Sequence, residues 1–259
     1  MKKTAVISFS GGLDSTSLLL NLLNNQYEVF ALSFDYGQKH KLELEKAKLN
    51  IKYLNQKGYK VTHKLLDISS SISILDSSLT NENKQVPNGY YKEENMKSTV
   101  VPNRNAIFTS FIYAYALTIN KNNNTKIDIA LGVHAGDHYI YPDCREEFYK
   151  KLFSAFEEGN WNSKDINLYL PYLNFSKSEI IKNALDSCKD LKLNFNKIFK
   201  NTLTSYKPDR KGISNGKTAS DIERILAFNE LGLKDPIQYN VSWDKALEHA
   251  LNIEDEYKK

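Results

Sequence analysis

Residues 8–17 read Ser-Phe-Ser-Gly-Gly-Leu-Asp-Ser-Thr-Ser, between an apolar run at 4–9 and a segment at 15–25 with leucines at helical spacing. This order is typical of a strand, a tight turn and a helix. Glycines let the backbone approach an anion closely, and the first N–H groups of a helix have no partner within it. The stretch therefore predicts an anion-binding loop, where the helix terminus stabilises a partly buried anion by up to about 2 kcal/mol.

The loop differs from two common phosphate-binding motifs. It lacks the Gly-Lys-Ser/Thr ending of P-loops, and Gly11 and Gly12 are adjacent, unlike the glycines of a dinucleotide fingerprint. Asp14 is unexpected, because a carboxylate repels a polyphosphate unless it orients a magnesium ion or accepts from backbone N–H groups. We therefore expect Mg²⁺ near Asp14.

The rest of the chain continues to alternate between strand and helix patterns. Such alternation predicts an α/β fold with a parallel sheet. Further strands are predicted at 27–34, 61–66 and 127–133, and helices at 41–57, 106–117, 146–157, 178–186 and 219–230, with a turn at 121–125. The polar stretch 67–98 predicts an active-site loop or a disordered segment. We expect a nucleotide-binding core at 1–170 and a smaller helical C-terminal region at 171–259.

Composition excludes several classes of protein. The 259 residues are 41% hydrophobic and 25% charged, as in ordinary globular proteins, and no run approaches the eighteen or so apolar residues of a membrane span. The first apolar run is too short for a signal peptide, so we expect a cytoplasmic protein. The net charge of +4 is dispersed and fits an anionic nucleotide as well as a nucleic acid. With only Cys144 and Cys188, neither a disulfide framework nor a four-thiolate zinc site is possible.

The pattern Ser-Gly-Gly-x-Asp-Ser at 10–15 resembles the PP-motif of the ATP pyrophosphatases, the superfamily of GMP synthetase, NAD synthetase and tRNA-modifying enzymes. The resemblance implies a Rossmann-like core of the HUP, or adenine nucleotide alpha hydrolase-like, type. It also implies cleavage of ATP between the α and β phosphates, with pyrophosphate held by the loop. In a simpler interpretation, Gly11 and Gly12 only turn the chain and Asp14 only caps a helix. The six loop positions Ser10, Gly11, Gly12, Asp14, Ser15 and Thr16, in the right order, argue against it.

Three further segments narrow the resemblance. They are Phe-Asp-Tyr-Gly-Gln-Lys-His at 34–40, Val-Pro-Asn-Arg-Asn at 101–105, and Gly-Val-His-Ala-Gly-Asp-His at 132–138, followed by Tyr-Pro-Asp-Cys-Arg at 141–145. Two of them follow predicted strands, at the edge where parallel sheets bind ligands. Together with the first loop, these segments resemble the QueC family, the 7-cyano-7-deazaguanine synthases of queuosine precursor synthesis. The resemblance covers nearly the whole chain and includes 201–209 and 230–236.

The resemblance implies a two-stage reaction on 7-carboxy-7-deazaguanine. ATP adenylylates the carboxylate, and ammonia displaces AMP to give an amide. A second ATP then activates the amide oxygen, and its loss leaves the nitrile. ATP, Mg²⁺, the deazaguanine and ammonia are thus the expected small-molecule partners. A homodimer is expected, and no membrane partner.

The resemblance also implies roles for individual residues. Arg104 and Lys177 are suited to neutralise charge on the phosphates, and His40 or His134 to move a proton. The catalytic residues implied are Asp14, Ser15, His40, Arg104 and Lys177. The implied nucleotide contacts are Phe9, Ser10, Gly11, Gly12, Leu13, Asp14, Ser15, Thr16, Ser17, Phe34, Tyr36 and Arg104. The implied contacts to the deazaguanine are Tyr36, Gln38, His134, Asp137, Tyr141, Asp143 and Arg145.

Some of these residues have a plainer interpretation. In this interpretation, Tyr141 and the proline after it serve only to turn the chain. Arg145 makes a surface ion pair, and Lys177 is an exposed residue at a helix start. Cys144 is interpreted as a small packed residue, because adenylate chemistry needs no thiol nucleophile.

The chain departs from the family at a zinc site. The resemblance implies four C-terminal cysteines, but the matching positions hold Ser205, Asn215, Thr218 and Asp221. Because hydroxyl and amide groups are poor ligands for a soft tetrahedral site, we expect no zinc. Either hydrogen bonds around 214–218 replace the metal, or the region meets a different acceptor. We favour the first interpretation.

A changed acceptor would make the chain a ligase that joins the deazaguanine carboxylate to another amine, on a protein or nucleic acid, as in phage defence. Residues 138–140, His-Tyr-Ile, also add bulk near the expected base pocket. A module that senses ATP without turnover and an RNA thiolation enzyme are weaker interpretations. The complete loop at 10–16 argues against the sensor, and the lack of paired catalytic cysteines against the thiolation enzyme.

Overall fold

The computed structural model describes residues 3–39, 41–75, 77–80, 100–134, 136, 141–205, 209 and 212–258. Within these residues, five parallel strands form one sheet in the order β3-β2-β1-β4-β5. The strands are β1 Thr4–Ser8, β2 Glu28–Asp35, β3 Val61–Asp67, β4 Ile127–Ala130 and β5 Ile166–Tyr169. The winding direction reverses between β1 and β4. Open α/β sheets bind ligands at such a switch point, outside the carboxyl ends of the strands.

Helices cover both faces of the sheet. The helices are α1 Leu13–Asn24, α2 Leu42–Gln56, α3 Ser69–Ile72, α4 Arg104–Asn123, α5 Glu146–Gly159, α6 Lys177–Asp190, α7 Phe195–Phe199, α8 Ala219–Glu230 and α9 Trp243–Lys258. Residues of β1 alternate between the faces: Ala5 and Ile7 pack in a core with α1, α2 and α6, and Val6 packs in a second core with α4 and α5. This alternation buries residues 4–7 of β1, as the apolar run at 4–9 predicts.

The parallel α/β fold predicted from the sequence is confirmed. The predicted helix at 106–117 is longer, since α4 begins at Arg104 and continues through the start of the predicted turn at 121–125. The strand predicted at 127–133 ends at Ala130, and β5, α7 and α9 were not predicted. β5 has only four residues, too few for a clear alternation, and α9 is largely polar.

The C-terminal helices pack on the core. α6 lies against α1, and α8 contacts both α6 and α9. Ile222, Ile225, Tyr239, Ala246 and Ala250 form a smaller apolar cluster between α8 and α9. In the described part of the chain, no helix is both long enough and apolar enough to cross a membrane. Of the predicted loop at 67–98, residues 76 and 81–98 lie outside the described residues.

Candidate active site

A cavity of about 340 Å³ opens at the carboxyl ends of β1, β2 and β4, at the switch point of the sheet. Its volume lies within the range of small-molecule sites. The predicted site residues on its wall are Phe9, Ser10, Gly12, Leu13, Asp14, Ser15, Phe34, Tyr36, Arg104, Tyr141 and Asp143. Segments distant in the sequence therefore meet in one cavity.

Gly11 fixes the shape of the anion-binding loop. Its φ is +83°, in the left-handed region that favours glycine. A Cβ at this position would lie 2.8 Å from the carbonyl oxygen of Glu43 and 2.9 Å from Cβ of Ala47. A side chain at residue 11 would therefore push α2 away from the loop. Gly12 has no such constraint within the protein, since the nearest atom to its built Cβ is Ser10 Oγ at 3.3 Å.

Hydroxyl and amide groups cluster where the loop enters α1. The Gly12 N–H donates to Ser10 Oγ at 3.2 Å, and the hydroxyls of Ser10 and Ser15 lie 3.1 Å apart. The first hydrogen bond of α1 runs from the Thr16 N–H to the Gly12 carbonyl at 3.1 Å. The amides of residues 13–15 therefore precede the helical ladder, and all three residues line the cavity. This is the arrangement that binds phosphate at a helix N-terminus.

Asp14 and Lys177 form an ion pair beneath this loop. Lys177 Nζ lies 2.9 Å from both carboxylate oxygens of Asp14, 3.4 Å from Glu223 Oε2 and 2.7 Å from His134 Nε2. Burial alone would raise the pKa of Asp14, but the positive charge of Lys177, with a smaller effect of His134, holds it below the ordinary value. Asp14 is thus an ionised side chain with a cationic partner.

This ion pair changes the explanation of Asp14. The sequence alone required Mg²⁺ or backbone N–H groups to offset the carboxylate, and the structure supplies a buried lysine instead. Among the described residues, no group of three or more His, Cys, Asp or Glu side chains could hold a metal ion. Both carboxylate oxygens of Asp14 are bonded to Lys177 in this arrangement.

Lys177 and His134 are buried below the cavity wall and do not line it. Only 8% of Lys177 is exposed, so its interpretation as an exposed residue at a helix start is wrong. His134 is held from both sides, since the Gly136 N–H donates to its Nδ1 at 3.1 Å. Both residues lie next to the carboxylate of Asp14, Lys177 at 2.9 Å and His134 Nε2 at 4.0 Å.

Aromatic rings form the second part of the wall. Phe34 and Phe108 stack with centroids 4.2 Å apart, and Tyr36 lies 5.5 Å from Phe108. The Arg104 guanidinium lies 5.8 Å from the centre of the Tyr36 ring. Burial raises the pKa of Tyr36, although Arg104 opposes this effect. A flat heterocycle fits such an apolar wall, with the guanidinium beside it for a negative group.

Glu43 is a wall residue that was not predicted from the sequence. Gln38, 6% exposed, donates from Nε2 to Glu43 Oε1 at 3.1 Å and to the Phe34 carbonyl at 3.2 Å. Burial raises the pKa of Glu43 to about 7, against the opposing effects of the Gln38 hydrogen bond and the Arg104 charge. Glu43 belongs to a Lys- and Glu-rich helix, a pattern that indicates exposed side chains. The sequence feature that could have identified Glu43 as a site residue is its position in the first helical turn after the 34–40 motif.

Several other predicted residues that the structure describes do not line the cavity. Gln38 is buried behind the wall, and its Oε1 accepts from the Tyr36 N–H at 2.9 Å. Arg145 is exposed and does not line the cavity. The residues of the loop and of α1 behind the wall are Gly11, Thr16 and Ser17. His40 and Asp137 lie outside the described residues.

The C-terminal region supplies one edge of the cavity. Leu203, Thr204 and Ser205 line it, and the Leu203 N–H donates to the Gly11 carbonyl at 3.3 Å. Arg224, fully buried, donates to the hydroxyls of Thr202 and Thr204, both at 2.8 Å. These contacts are long-range, so local sequence patterns do not reveal them.

The residues at the expected zinc positions do not fit zinc. Asp221 is fully buried and accepts from Ser205 Oγ at 3.0 Å, Ser214 Oγ at 2.7 Å, and Thr218 Oγ1 at 2.6 Å. The Asn215 side chain lies apart and accepts from the Lys217 N–H. The three hydroxyls and the carboxylate satisfy each other's hydrogen-bonding capacity, and none of these groups is a thiolate that could bind zinc. The hydrogen bonding expected around 214–218 is thus present, with Ser214 in place of Asn215.

Known proteins resemble this chain over most of its length. The family described as queuosine biosynthesis protein QueC matches residues 4–232. The 7-cyano-7-deazaguanine synthase of Caldicellulosiruptor saccharolyticus is 40% identical over 93% of this chain and 98% of its own length. The enzyme of that name from Methanoregula boonei is 40% identical over 91% of this chain and 98% of its own length.

Among solved structures, the NMN synthetase of Francisella tularensis aligns at 17% identity over 98% of this chain and 85% of its own, with a TM-score of 0.45. The family assignment rests on the sequence match, which includes the anion-binding loop, the motifs at 34–40 and 101–105, and the segment of the chain that leads into α8. The chain belongs to the QueC family.

Proposed function

We propose that this chain is a 7-cyano-7-deazaguanine synthase, which converts 7-carboxy-7-deazaguanine and ammonia to the nitrile at the expense of ATP. The central observation is one cavity that joins the anion-binding loop to an aromatic wall closed by Arg104. A phosphate chain and a flat base can therefore meet in it. The names of relatives matched over nearly their whole length support the same activity.

In the first stage, the loop holds the pyrophosphate of ATP. The amides of residues 13–15 and the hydroxyls of Ser10 and Ser15 supply hydrogen-bond donors, which favour the charge that develops as the α phosphate is transferred. Lys177 offsets the negative charge of Asp14 next to these phosphates. Magnesium is part of the substrate in this proposal, because it enters with ATP and takes its ligands from phosphate and water.

The deazaguanine lies against the aromatic wall. Phe34, Tyr36 and Phe108 provide the stacking surface, and Arg104 is placed to attract its carboxylate. Tyr141 and Asp143 are the candidates for contacts to the edge of the base, since both line the same cavity. The amide produced in the first stage occupies the same position for the second adenylylation.

The proposal also includes a homodimer, which the family resemblance implies, and a cytoplasmic location, which is consistent with a biosynthetic enzyme family. Light scattering of the purified chain measures the mass of the assembly. A monomer at micromolar concentration would contradict the homodimer and leave the proposed reaction unaffected.

Exchange of labelled pyrophosphate into ATP tests the adenylylation. The wild-type chain should catalyse exchange that depends on 7-carboxy-7-deazaguanine and needs no ammonia, because the acyl adenylate forms reversibly. Ser10→Ala should slow the exchange by about 10-fold or more, since one loop donor is worth about 1.5–3 kcal/mol to a charged group. Ser110→Ala, an exposed serine on α4, is the matched control. Absence of exchange in the wild type would contradict the proposal.

A further inference from the structure

The proposed reaction must release protons at defined steps, and the following inference rests on that reaction. When ammonia attacks the acyl adenylate, a C–N bond forms, the C–O bond to AMP breaks and one N–H proton leaves. Attack of the amide oxygen on ATP releases pyrophosphate and a second proton. Breaking the C–O bond of this imidate then releases AMP and the last N–H proton, as the C≡N bond forms. A base beside the reacting carbon would accelerate each step.

Three carboxylates of the described residues line the cavity: Asp14, Glu43 and Asp143. Asp14 is unsuited to accept a proton, because Lys177 bonds both of its oxygens and lowers its pKa. His134 does not line the cavity, and its Nε2 is taken up by Lys177 at 2.7 Å. Glu43 and Asp143 are the described carboxylates on the wall that remain.

Glu43 is placed where the two halves of the cavity meet. Its carbonyl oxygen lies against Gly11 of the anion-binding loop. Its carboxyl group accepts from Gln38 Nε2, which also donates to the Phe34 carbonyl in β2. Arg104, from α4, is the charged group that acts on this carboxyl, and Tyr36 lies beside both. The carboxyl therefore lies on the cavity wall near Tyr36 and Arg104, and the backbone of the same residue contacts the anion-binding loop.

We propose that Glu43 is the general base that accepts the protons released from nitrogen during amide and nitrile formation. A carboxyl group in apolar surroundings is a stronger base than one in water. Its pKa of about 7, raised by burial, matches the working pH at which a general base is most efficient. Gln38 is a positioning residue that holds the carboxyl toward the wall.

The test compares Glu43→Gln and Glu43→Asp with Glu45→Gln, an exposed glutamate of the same helix that pairs with Lys48. Pyrophosphate exchange without ammonia reports adenylylation alone. Single-turnover formation of amide and nitrile, at a constant concentration of unprotonated ammonia, reports the proton-releasing steps. Hydroxylamine replaces ammonia as a probe, since it is largely unprotonated and more nucleophilic at neutral pH.

We expect Glu43→Gln to keep exchange within about 3-fold of wild type and to slow amide and nitrile formation about 10²- to 10⁴-fold. Hydroxamate formation should fall much less. The wild-type rate should rise with pH through about 7 and then level off, since the base acts when deprotonated. This rise of the rate with pH should be absent in Glu43→Gln. Glu43→Asp should keep the rise but level off at a lower rate.

Two outcomes would overturn the inference. If Glu43→Gln formed the nitrile at a rate within 3-fold of wild type, with the same rise of the rate with pH, Glu43 would be excluded as the general base. Loss of exchange together with loss of nitrile would assign Glu43 to the ATP site. Failure of the proposed function is distinguishable from both, because wild type and Glu45→Gln would then also lack exchange.

Discussion

Lys177 Nζ lies 2.9 Å from both carboxylate oxygens of Asp14, and this pair ties α6 to the helix that carries the anion-binding loop. Loss of the lysine would leave a largely enclosed carboxylate without its cation. We expect Lys177→Met to reduce the free energy of unfolding by about 3 kcal/mol, as for other broken buried pairs. Urea denaturation of the single and double variants measures this value. The double variant with Asp14→Asn should be more stable than Lys177→Met alone, and strictly additive losses would mean that the pair is not coupled.

The two loop glycines should respond differently to substitution. Gly11→Ala combines a left-handed φ with a contact of 2.8 Å to the Glu43 carbonyl, so we expect a lower melting temperature and no pyrophosphate exchange. Gly12→Ala should fold normally and bind ATP more weakly, because the added methyl group faces the cavity. Thermal melts and exchange rates of both variants check the contrast. Equal melting temperatures would contradict the role given to Gly11.

The hydroxyl cluster around Asp221 should make the C-terminal region independent of metal. We expect metal analysis of the purified chain to find less than one zinc ion per ten chains, and a chelator to leave the melting temperature unchanged. Asp221→Ala should destabilise the protein by about 3 kcal/mol or more, because several buried hydroxyls lose their acceptor. Asn215→Ala is the matched control, since its side chain lies outside the cluster. Stoichiometric zinc would refute this explanation.

The buried pair of Arg224 and Asp235 should support the cavity edge. Arg224 Nε lies 2.6 Å from Asp235 Oδ2, and Tyr239 donates to the same oxygen at 2.7 Å. Asp235→Ala leaves the guanidinium uncompensated, so we expect a loss of about 3–5 kcal/mol in unfolding free energy. Asp244→Ala, at an exposed position, should change it by less than about 0.5 kcal/mol. Similar values for the two variants would show that the pair contributes little.

Glu43 should make stability depend on pH. Burial raises the pKa of Glu43 in the folded state from 4.5 to about 7, so its contribution is most favourable below pH 4.5 and is lost as pH rises through 7. Glu43→Gln cannot ionise, and we expect it to melt at a higher temperature than wild type at pH 8. The difference should shrink or vanish at pH 5. Thermal melts at both pH values measure it, and a pH-independent difference would contradict the assigned pKa.

The sequence predicted the parts of the site that depend on local pattern. The loop at 8–17 combines glycines, hydroxyls and a helix start within ten residues, so its role follows from neighbours in the chain. Glu43 and Thr204 reach the cavity through tertiary packing, of α2 on Gly11 and of the C-terminal segment on the loop. The local sequence around Glu43 indicates only an exposed helix, and the local sequence around Thr204 indicates only a loop between helices. Lys177 was predicted as a catalytic residue that neutralises charge on the phosphates, and its pairing with Asp14 required the structure.

The reaction itself gives the most direct test of the proposed function. Purified protein would be incubated with ATP, Mg²⁺, 7-carboxy-7-deazaguanine and ¹⁵N-labelled ammonium, and the base products followed in time by mass spectrometry. We predict a transient labelled amide and then the labelled nitrile, with two AMP formed for each nitrile. AMP accompanied only by an amide, a conjugate or no new base product would contradict the assignment of this chain as a nitrile-forming synthase.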